Sequence, residues 1–156
     1  QLKEMERLSI TASFFTAHTW YWGDVHLKNF GEARALKISP ARTAIDDGVN
    51  VTFHQDSPVI QPDMLETVWC AVNRISCGGH PMGLMERVTP YEALKAVTSN
   101  AAYQYGEENE KGTIEPGKTA DFVILSASPL TVLPEEIKKI RVLETIKGGK
   151  VLYKSI

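Results

Sequence analysis

Apolar and polar side chains alternate through Val49-Asn50-Val51-Thr52-Phe53-His54-Gln55-Asp56. A period of two predicts a strand. Val49, Val51 and Phe53 take its covered face, and Asn50, Thr52, His54 and Asp56 take the other. Gly48 supplies the turn into this strand. Pro58 ends it, because proline cannot donate to a ladder. Upstream, Leu2, Met5 and Leu8 recur at helical spacing and mark residues 1–8 as the tail of an amphipathic helix. Residues 9–15 form a short β-prone run. Residues 16–24 follow as an aromatic loop containing His18, Trp20, Tyr21 and Trp22. Loops after strands carry function more often than the scaffold does. Trp20, Tyr21 and Trp22 either wall a pocket for an apolar or aromatic ligand or plug the fold's own core.

Residues 29–38 read as a short helix. Ser39 is an expected N-cap, with Pro40 at the first position of another helix that Gly48 closes. Strand, loop, helix and strand in this order make a βα unit. Asp63 and Glu66 fit a capping box, and Leu65, Val68, Trp69, Val72 and Ile75 form the apolar stripe of a helix that Cys77-Gly78-Gly79 ends. Thr89-Pro90-Tyr91-Glu92 opens a further helix, buried through Leu94, Val97 and Ala101 and closed by Gly106. The texture then changes. Residues 112–125 read as strand, turn and strand around a type II turn at Glu115-Pro116-Gly117-Lys118. Pro134-Glu135-Glu136 opens a helical turn. Gly148-Gly149 joins two last strands as a hairpin. The expected division is an α/β part over 1–108 and a mostly β part over 109–156.

At 156 residues the chain is long enough for one domain with a sizeable core. A net charge of −2, with acids and bases interspersed, predicts neither a nucleic-acid footprint nor a polybasic membrane patch. No apolar run is long enough to span a bilayer, and the first residues lack the core of a signal peptide. The chain starts without Met and inside an expected helix, which hints at a piece of something longer. Cys70 and Cys77 fall on one expected helix, roughly 10 Å apart and too far for a disulfide. Reduced cysteines favour a cytoplasmic setting. A His-x-Asp pair at the C-terminal end of a parallel strand is where an α/β barrel keeps its chemistry. A strand end with two solvated polar residues has the same spacing, so both readings stay open at this level.

Several segments together resemble one family. They are Thr89-Pro90-Tyr91-Glu92-Ala93-Leu94, Asn100-Ala101-Ala102, residues 111–125 with Glu115-Pro116-Gly117-Lys118-Thr119-Ala120-Asp121, and Gly148-Gly149-Lys150-Val151-Leu152-Tyr153. To these add His18-Thr19-Trp20-Tyr21-Trp22-Gly23-Asp24 and His54-Gln55-Asp56-Ser57-Pro58-Val59. The family is the metal-dependent amidohydrolases, in the branch called amidohydrolase family 3. The resemblance implies a TIM barrel with one or two divalent metals, zinc foremost, flanked by a small β-sandwich. It implies hydrolysis of a non-peptide carbon–nitrogen bond in a small-molecule substrate by metal-activated water. The last barrel strand of such proteins ends in an aspartate that binds metal and moves a proton from the attacking water. Asp56 stands at that place, as catalytic residue and metal ligand. His18, Trp20, Trp22 and His54 are the expected substrate contacts.

The departures are large. The family's His-x-His pair is missing, since His18, His26, His54 and His80 are the only histidines. A TIM barrel needs about 250 residues. The expectation is therefore the last βα units of such a barrel and part of the sandwich. The metal would be held in a full-length parent and absent from this chain alone. Exposed strand edges would drive self-association into a homo-oligomer. A non-catalytic truncated module that folds without activity is the competing class.

Overall fold

The computed structural model describes residues 1–155. Helix α1 (Leu2–Arg7) leads into strand β1 (Ala12–Phe14). Helices α2 (His18–Phe30), α3 (Glu32–Ala35) and α4 (Ala41–Asp46) then carry the chain back to strand β2 (Val51–Phe53). The two strands pair in parallel, Ala12 with Val51 and Phe14 with Phe53. Parallel pairing demands a long crossover, and the three helices provide it. Helices α5 (Met64–Asn73), α6 (Pro90–Ala96) and α7 (Ser99–Gln104) follow. After them, β3 (Phe122–Leu125), β4 (Val142–Lys147) and β5 (Lys150–Lys154) form an antiparallel sheet in the order β3-β4-β5. The chain is mixed α/β. Among the described residues, no helix is long and apolar enough to cross a membrane.

The core gathers Ala12, Val51 and Phe53 from the strands, Val68 and Trp69 from α5 and Ala93 from α6. The alternation through β2 places one face in the core as expected, but the other face is not open. Thr52 is also buried, with its hydroxyl donating to Gln104 Oε1 at 2.8 Å. Asn100 Nδ2 donates to the Val51 carbonyl at 2.9 Å. Helix α7 therefore covers the polar side of the strand. β2 also ends at Phe53, so Asp56 lies beyond the strand, exposed and in the left-handed region at φ 53.

Other local expectations need correction. The aromatic stretch at 16–24 is no loop, because α2 begins at His18. Gly23 lies inside this helix. A Cβ there would come within 2.9 Å of Met82 Sδ and Ser76 Cβ, so the glycine permits close packing. The short helix expected over 29–38 resolves into the end of α2, a turn at Gly31 and the brief α3. Ser39 does not cap a helix. Its φ is 46, and Pro40 holds the cap position of α4. Helix α5 stops at Asn73, so Cys77 lies outside it and is exposed, while Cys70 is buried. No strand precedes the turn at 115–118; instead Lys118 Nζ donates to the Glu108 carbonyl at 2.7 Å. The helix expected over 90–105 breaks between α6 and α7, and its buried positions are Ala93, Ala96 and Ala102.

Several signals hold. Thr89 and Glu92 close a full capping box, with Pro90 in the first turn of α6. Asp63 caps α5 by accepting from Glu66 N–H, although the Glu66 carboxylate bonds Tyr21 rather than reaching back. Lys118 N–H bonds the Glu115 carbonyl with Gly117 at φ 92, as a type II turn requires. Gly148 and Gly149 both take positive φ, which matches the twist of a tight hairpin.

The C-terminal segment docks on α5 through a 3₁₀ turn at Pro134–Lys139. Trp69 Nε1 donates to the Glu135 carbonyl at 3.2 Å, and Asn73 Nδ2 to the Pro134 carbonyl at 2.9 Å. Ile137 is fully buried. Lys138 Nζ sits 3.9 Å from the Trp69 ring centre and 4.5 Å from that of Trp20. A cation between two π faces adds electrostatic attraction to this burial.

One buried charge joins the connecting segments. Arg74, at the end of α5, donates through Nε to the Met82 carbonyl at 2.8 Å. Its Nη1 and Nη2 donate to the carbonyls of Ser39 and Ile38 at 3.0 and 2.9 Å. Burial lowers the guanidinium pKa to about 10, which leaves it charged at neutral pH. Replacing Arg74 with Met keeps bulk but strands the Met82 and Ile38 carbonyls, while the Ser39 carbonyl keeps its bond from Ala41 N–H. We expect a loss of about 3–5 kcal/mol, read from urea denaturation of the folded chain. A loss below about 1 kcal/mol would mean that water satisfies those carbonyls instead.

Candidate active site

Helix α2 sets out four residues at i, i+4 spacing on one face, which are His18, Trp22, His26 and Phe30. Phe15, just before the helix, is the hub beneath them. Its ring lies 4.7 Å from His18 in an edge contact, 5.9 Å from Trp22 and 5.4 Å from His54. His18 and Trp22 are themselves 4.9 Å apart. His54 follows β2 directly, and its N–H still bonds the Phe14 carbonyl at 3.1 Å. The end of the parallel pair thus brings together His18, Trp22 and His54. Asp56 lies close enough for its carboxylate charge to act on the His18 ring.

Trp20 does not join them. It lies on the opposite face of α2, edge-on to Trp69 at 5.0 Å and under Lys138. Trp20 packs on Trp69 at the core, and Trp22 is the tryptophan that shares the His18 face.

His26 was missed because residues 16–24 read as a loop, and only a helix brings positions 18 and 26 onto one face. Its Nε2 lies 3.1 Å from His18 Nδ1. The rings are 1° from parallel with centres 5.4 Å apart. That separation is what two five-membered rings joined edge to edge by an N–H···N bond require, so they share a plane rather than stack. Phe30 stacks on His26 at 5.4 Å and 14°, with the Arg34 guanidinium 5.4 Å from the Phe30 ring centre. His18 Nε2 makes no hydrogen bond among the described residues.

Burial pushes the His18 pKa down, and the charges of His26 and His54 push the same way against the Asp56 carboxylate. His18 is therefore neutral at neutral pH, with one nitrogen tied to His26 and the other open to a ligand. A second polar cluster occupies the far side of α2. The Asp24 carboxylate accepts from the Ser76 hydroxyl at 2.6 Å, His80 Nδ1 at 2.7 Å and Gly78 N–H at 3.0 Å. Ser76 and His80 hold its pKa down to about 2. This carboxylate fastens the 76–80 loop to α2 and has little left to offer a ligand.

The donor set around His18 suits a borderline divalent ion in kind, with imidazole nitrogens and a carboxylate. It is incomplete in number. Among the described residues, no three His, Cys, Asp or Glu side chains are grouped to hold a metal. The described residues group no further ligands with Asp56.

Comparison with known proteins follows the same lines. Residues 1–153 match the sequence model of the amidohydrolase family. The N-substituted formamide deformylase of Arthrobacter pascens is 35% identical over 133 residues, covering 85% of this chain and 24% of that protein. Protein LONG AFTER FAR-RED 3 of Arabidopsis thaliana is 32% identical over 149 residues, covering 94% and 25%. Among solved structures, an uncharacterized metal-dependent hydrolase from Pyrococcus horikoshii OT3 superposes with a TM-score of 0.72 at 25% identity, over 86% of this chain and 28% of that one. An amidohydrolase from Thermotoga maritima MSB8 shares the fold with a TM-score of 0.68 at 21% identity, over 99% and 34%. The fold is thus that of hydrolase scaffolds, and the chain belongs to the amidohydrolase family. It spans about a quarter of the length of these curated relatives.

The His18 environment can be tested by its titration. A folded-state pKa below the unfolded value means that the unfolded chain binds more protons. Stability is then present above about pH 6.5 and is lost as pH falls through the folded pKa. In NMR titrations the His18 ring should titrate below its ordinary value. His26→Phe keeps the stack on Phe30 and removes a neighbouring charge, so it should raise the His18 pKa. Titration of His18 at or above its ordinary value would contradict the burial described.

Proposed function

We propose that this chain is the C-terminal part of a metal-dependent amidohydrolase that hydrolyses a non-peptide carbon–nitrogen bond in a small molecule. In this reading residues 1–108 supply the last βα units of a TIM barrel, and residues 109–156 supply part of a β-sandwich. Asp56 is the metal-ligating carboxylate and proton acceptor. His18, Trp22 and His54 contact the substrate. The observation that carries the reading is the gathering of these three side chains around Phe15, within reach of the Asp56 charge, at the end of a parallel strand pair. The family match supports it over nearly the whole chain.

The chain's own residues divide the work by chemistry. Asp56 projects from an exposed turn, and its carboxylate accepts no hydrogen bond among the described residues, so it remains able to take a proton from water. His18 Nε2 is available to the substrate as donor or acceptor, according to the tautomer that His26 selects. Trp22 and Phe15 present aromatic surface that excludes water from one side. A bound divalent ion, zinc foremost, would supply carbonyl polarisation and a water of lowered pKa.

One observation favours a second reading, that this chain by itself is a folded module without activity. The described residues hold no three-ligand group. Elemental analysis separates the two. The chain alone should carry no stoichiometric zinc, and the enzyme at the length of its relatives should carry it. Stoichiometric zinc in the isolated chain would show that it completes a site unaided.

The carboxylate itself is tested in the enzyme of family length. Asp56→Asn keeps the size and one oxygen ligand but cannot accept a proton near neutral pH. Turnover should fall about 10²–10⁴-fold with the protein folded. Turnover like that of the wild type would remove Asp56 from the chemistry.

Self-association is expected as well. Val123, Val151, Leu152 and Tyr153 are exposed on the antiparallel sheet. Sedimentation of the isolated chain at micromolar concentration should show a dimer or larger species, and a clean monomer would refute this.

A further inference from the structure

The Asp56 turn is closed at its neck by a side chain that no role so far explains. Gln55 is buried, unlike the four residues that follow it. Its Oε1 accepts from Asp63 N–H and its Nε2 donates to the Asp63 carbonyl. One primary amide thus pairs with both backbone groups of a single residue, as a neighbouring strand would. The pairing ties the start of the 56–62 segment to its end. Asp63 is also the N-cap of α5, through Oδ1 and Glu66 N–H at 3.0 Å. The clamp therefore fixes the Asp56 turn to the first turn of a helix whose body lies in the core. Inside the segment, Val59 N–H bonds the Asp56 carbonyl at 2.8 Å, the Ser57 hydroxyl donates to the Ile60 carbonyl at 3.4 Å, and Ile60 packs against the core. Asp56 is exposed and in the left-handed region at φ 53, which aspartate tolerates better than most residues.

We infer that Gln55 is a positioning residue for Asp56, holding the carboxylate at the height and angle its ligand requires by clamping the neck of its turn to Asp63. The inference rests on the reading of Asp56 as the reactive carboxylate. Gln55 itself touches neither ion nor substrate. The chemistry explains why an amide is needed. A carboxylate in its place could accept from Asp63 N–H but would set an anionic oxygen against the Asp63 carbonyl. An apolar side chain of equal length would leave the Asp63 N–H unpaired and the Asp63 carbonyl to Thr67 alone. Residues that orient metal ligands from behind typically change metal affinity or activity by about 10–100-fold when replaced.

The test uses Gln55→Glu together with Gln55→Asn, a milder change whose amide is one methylene too short to pair with both groups. In the isolated chain, amide exchange at Val59 should speed up about tenfold or more in Gln55→Glu and less in Gln55→Asn. In the enzyme of family length, assayed well below its melting temperature, zinc affinity and kcat should fall about 10–100-fold with KM changed much less. Unchanged Val59 exchange in both variants would overturn the clamp. Faster exchange with zinc affinity and kcat at wild-type levels would overturn the positioning role and leave Gln55 a purely structural residue. Failure of the Asp56 reading is seen separately, as full turnover in Asp56→Asn.

Discussion

The arrangement depends on a charge that burial ought to forbid. Arg74 is fully buried and ends α5 in a left-handed conformation at φ 53. An isolated cation there would be intolerable, and this one persists because a planar fork of donors meets three carbonyls, two of which have no other donor. Those carbonyls belong to the segment before α4 and to the loop after α5. The contact is tight as well. A Cβ on Gly83 would collide with the Leu36 carbonyl, so only glycine lets the two segments meet around the guanidinium. Arg74 thereby sets where α5 lies relative to α4, and α5 carries the Asp63 cap from which the Asp56 turn is held.

The same loop reaches α2 from the other side. Ser76 and Met82 press on Gly23, and Ser76, Gly78 and His80 bond Asp24. Helix α2 therefore has two faces with different tasks. Trp20, Gly23 and Asp24 seat it against α5 and the 76–80 loop. His18, Trp22, His26 and Phe30 form a ladder turned toward Phe15 and His54. A helix fixed on one side can hold imidazole rings on the other without help from a ligand, and such preorganisation is what a recognition surface needs.

Legibility in the sequence follows the range of the interactions. Local devices were readable. The Thr89–Glu92 box, the Pro116-Gly117 turn and the Gly148-Gly149 hairpin each depend on a few neighbouring residues and fixed stereochemistry. The strand of β2 was readable from its period, but the burial of Thr52 was not, because Gln104 supplies its partner from 52 residues away. Helix α2 was hidden by composition. Its first turns are Thr, Trp and Tyr, with a glycine in the middle, and packing against Trp69, Ser76 and Met82 overrides these weak propensities. With α2 read as a loop, the relation between His18 and His26 could not be seen, and Trp20 and Trp22 looked equivalent although they face opposite ways. Arg74 and Gln55 carry no local signature at all. Each is an ordinary polar residue until distant backbone closes around it.

Two aspartates near α2 show how hydrogen bonding separates structure from chemistry. Asp24 accepts from a hydroxyl, an imidazole and a backbone amide, and its pKa is drawn to about 2. A carboxylate so saturated is a strong fastener and a poor base, since proton and metal alike must displace donors already in place. Its hold on the loop is present above the ordinary carboxylate range and is lost only as pH falls toward about 2. Asp56 is the opposite case. No side chain or backbone donor among the described residues bonds its carboxylate, and its backbone rather than its side chain is what the fold restrains. Leaving the oxygens open while fixing the main chain is the arrangement that a ligand-binding carboxylate calls for. The motif His54-Gln55-Asp56 thus divides into three parts. The imidazole joins the aromatic hub, the amide pairs with Asp63, and the carboxylate accepts no hydrogen bond among the described residues.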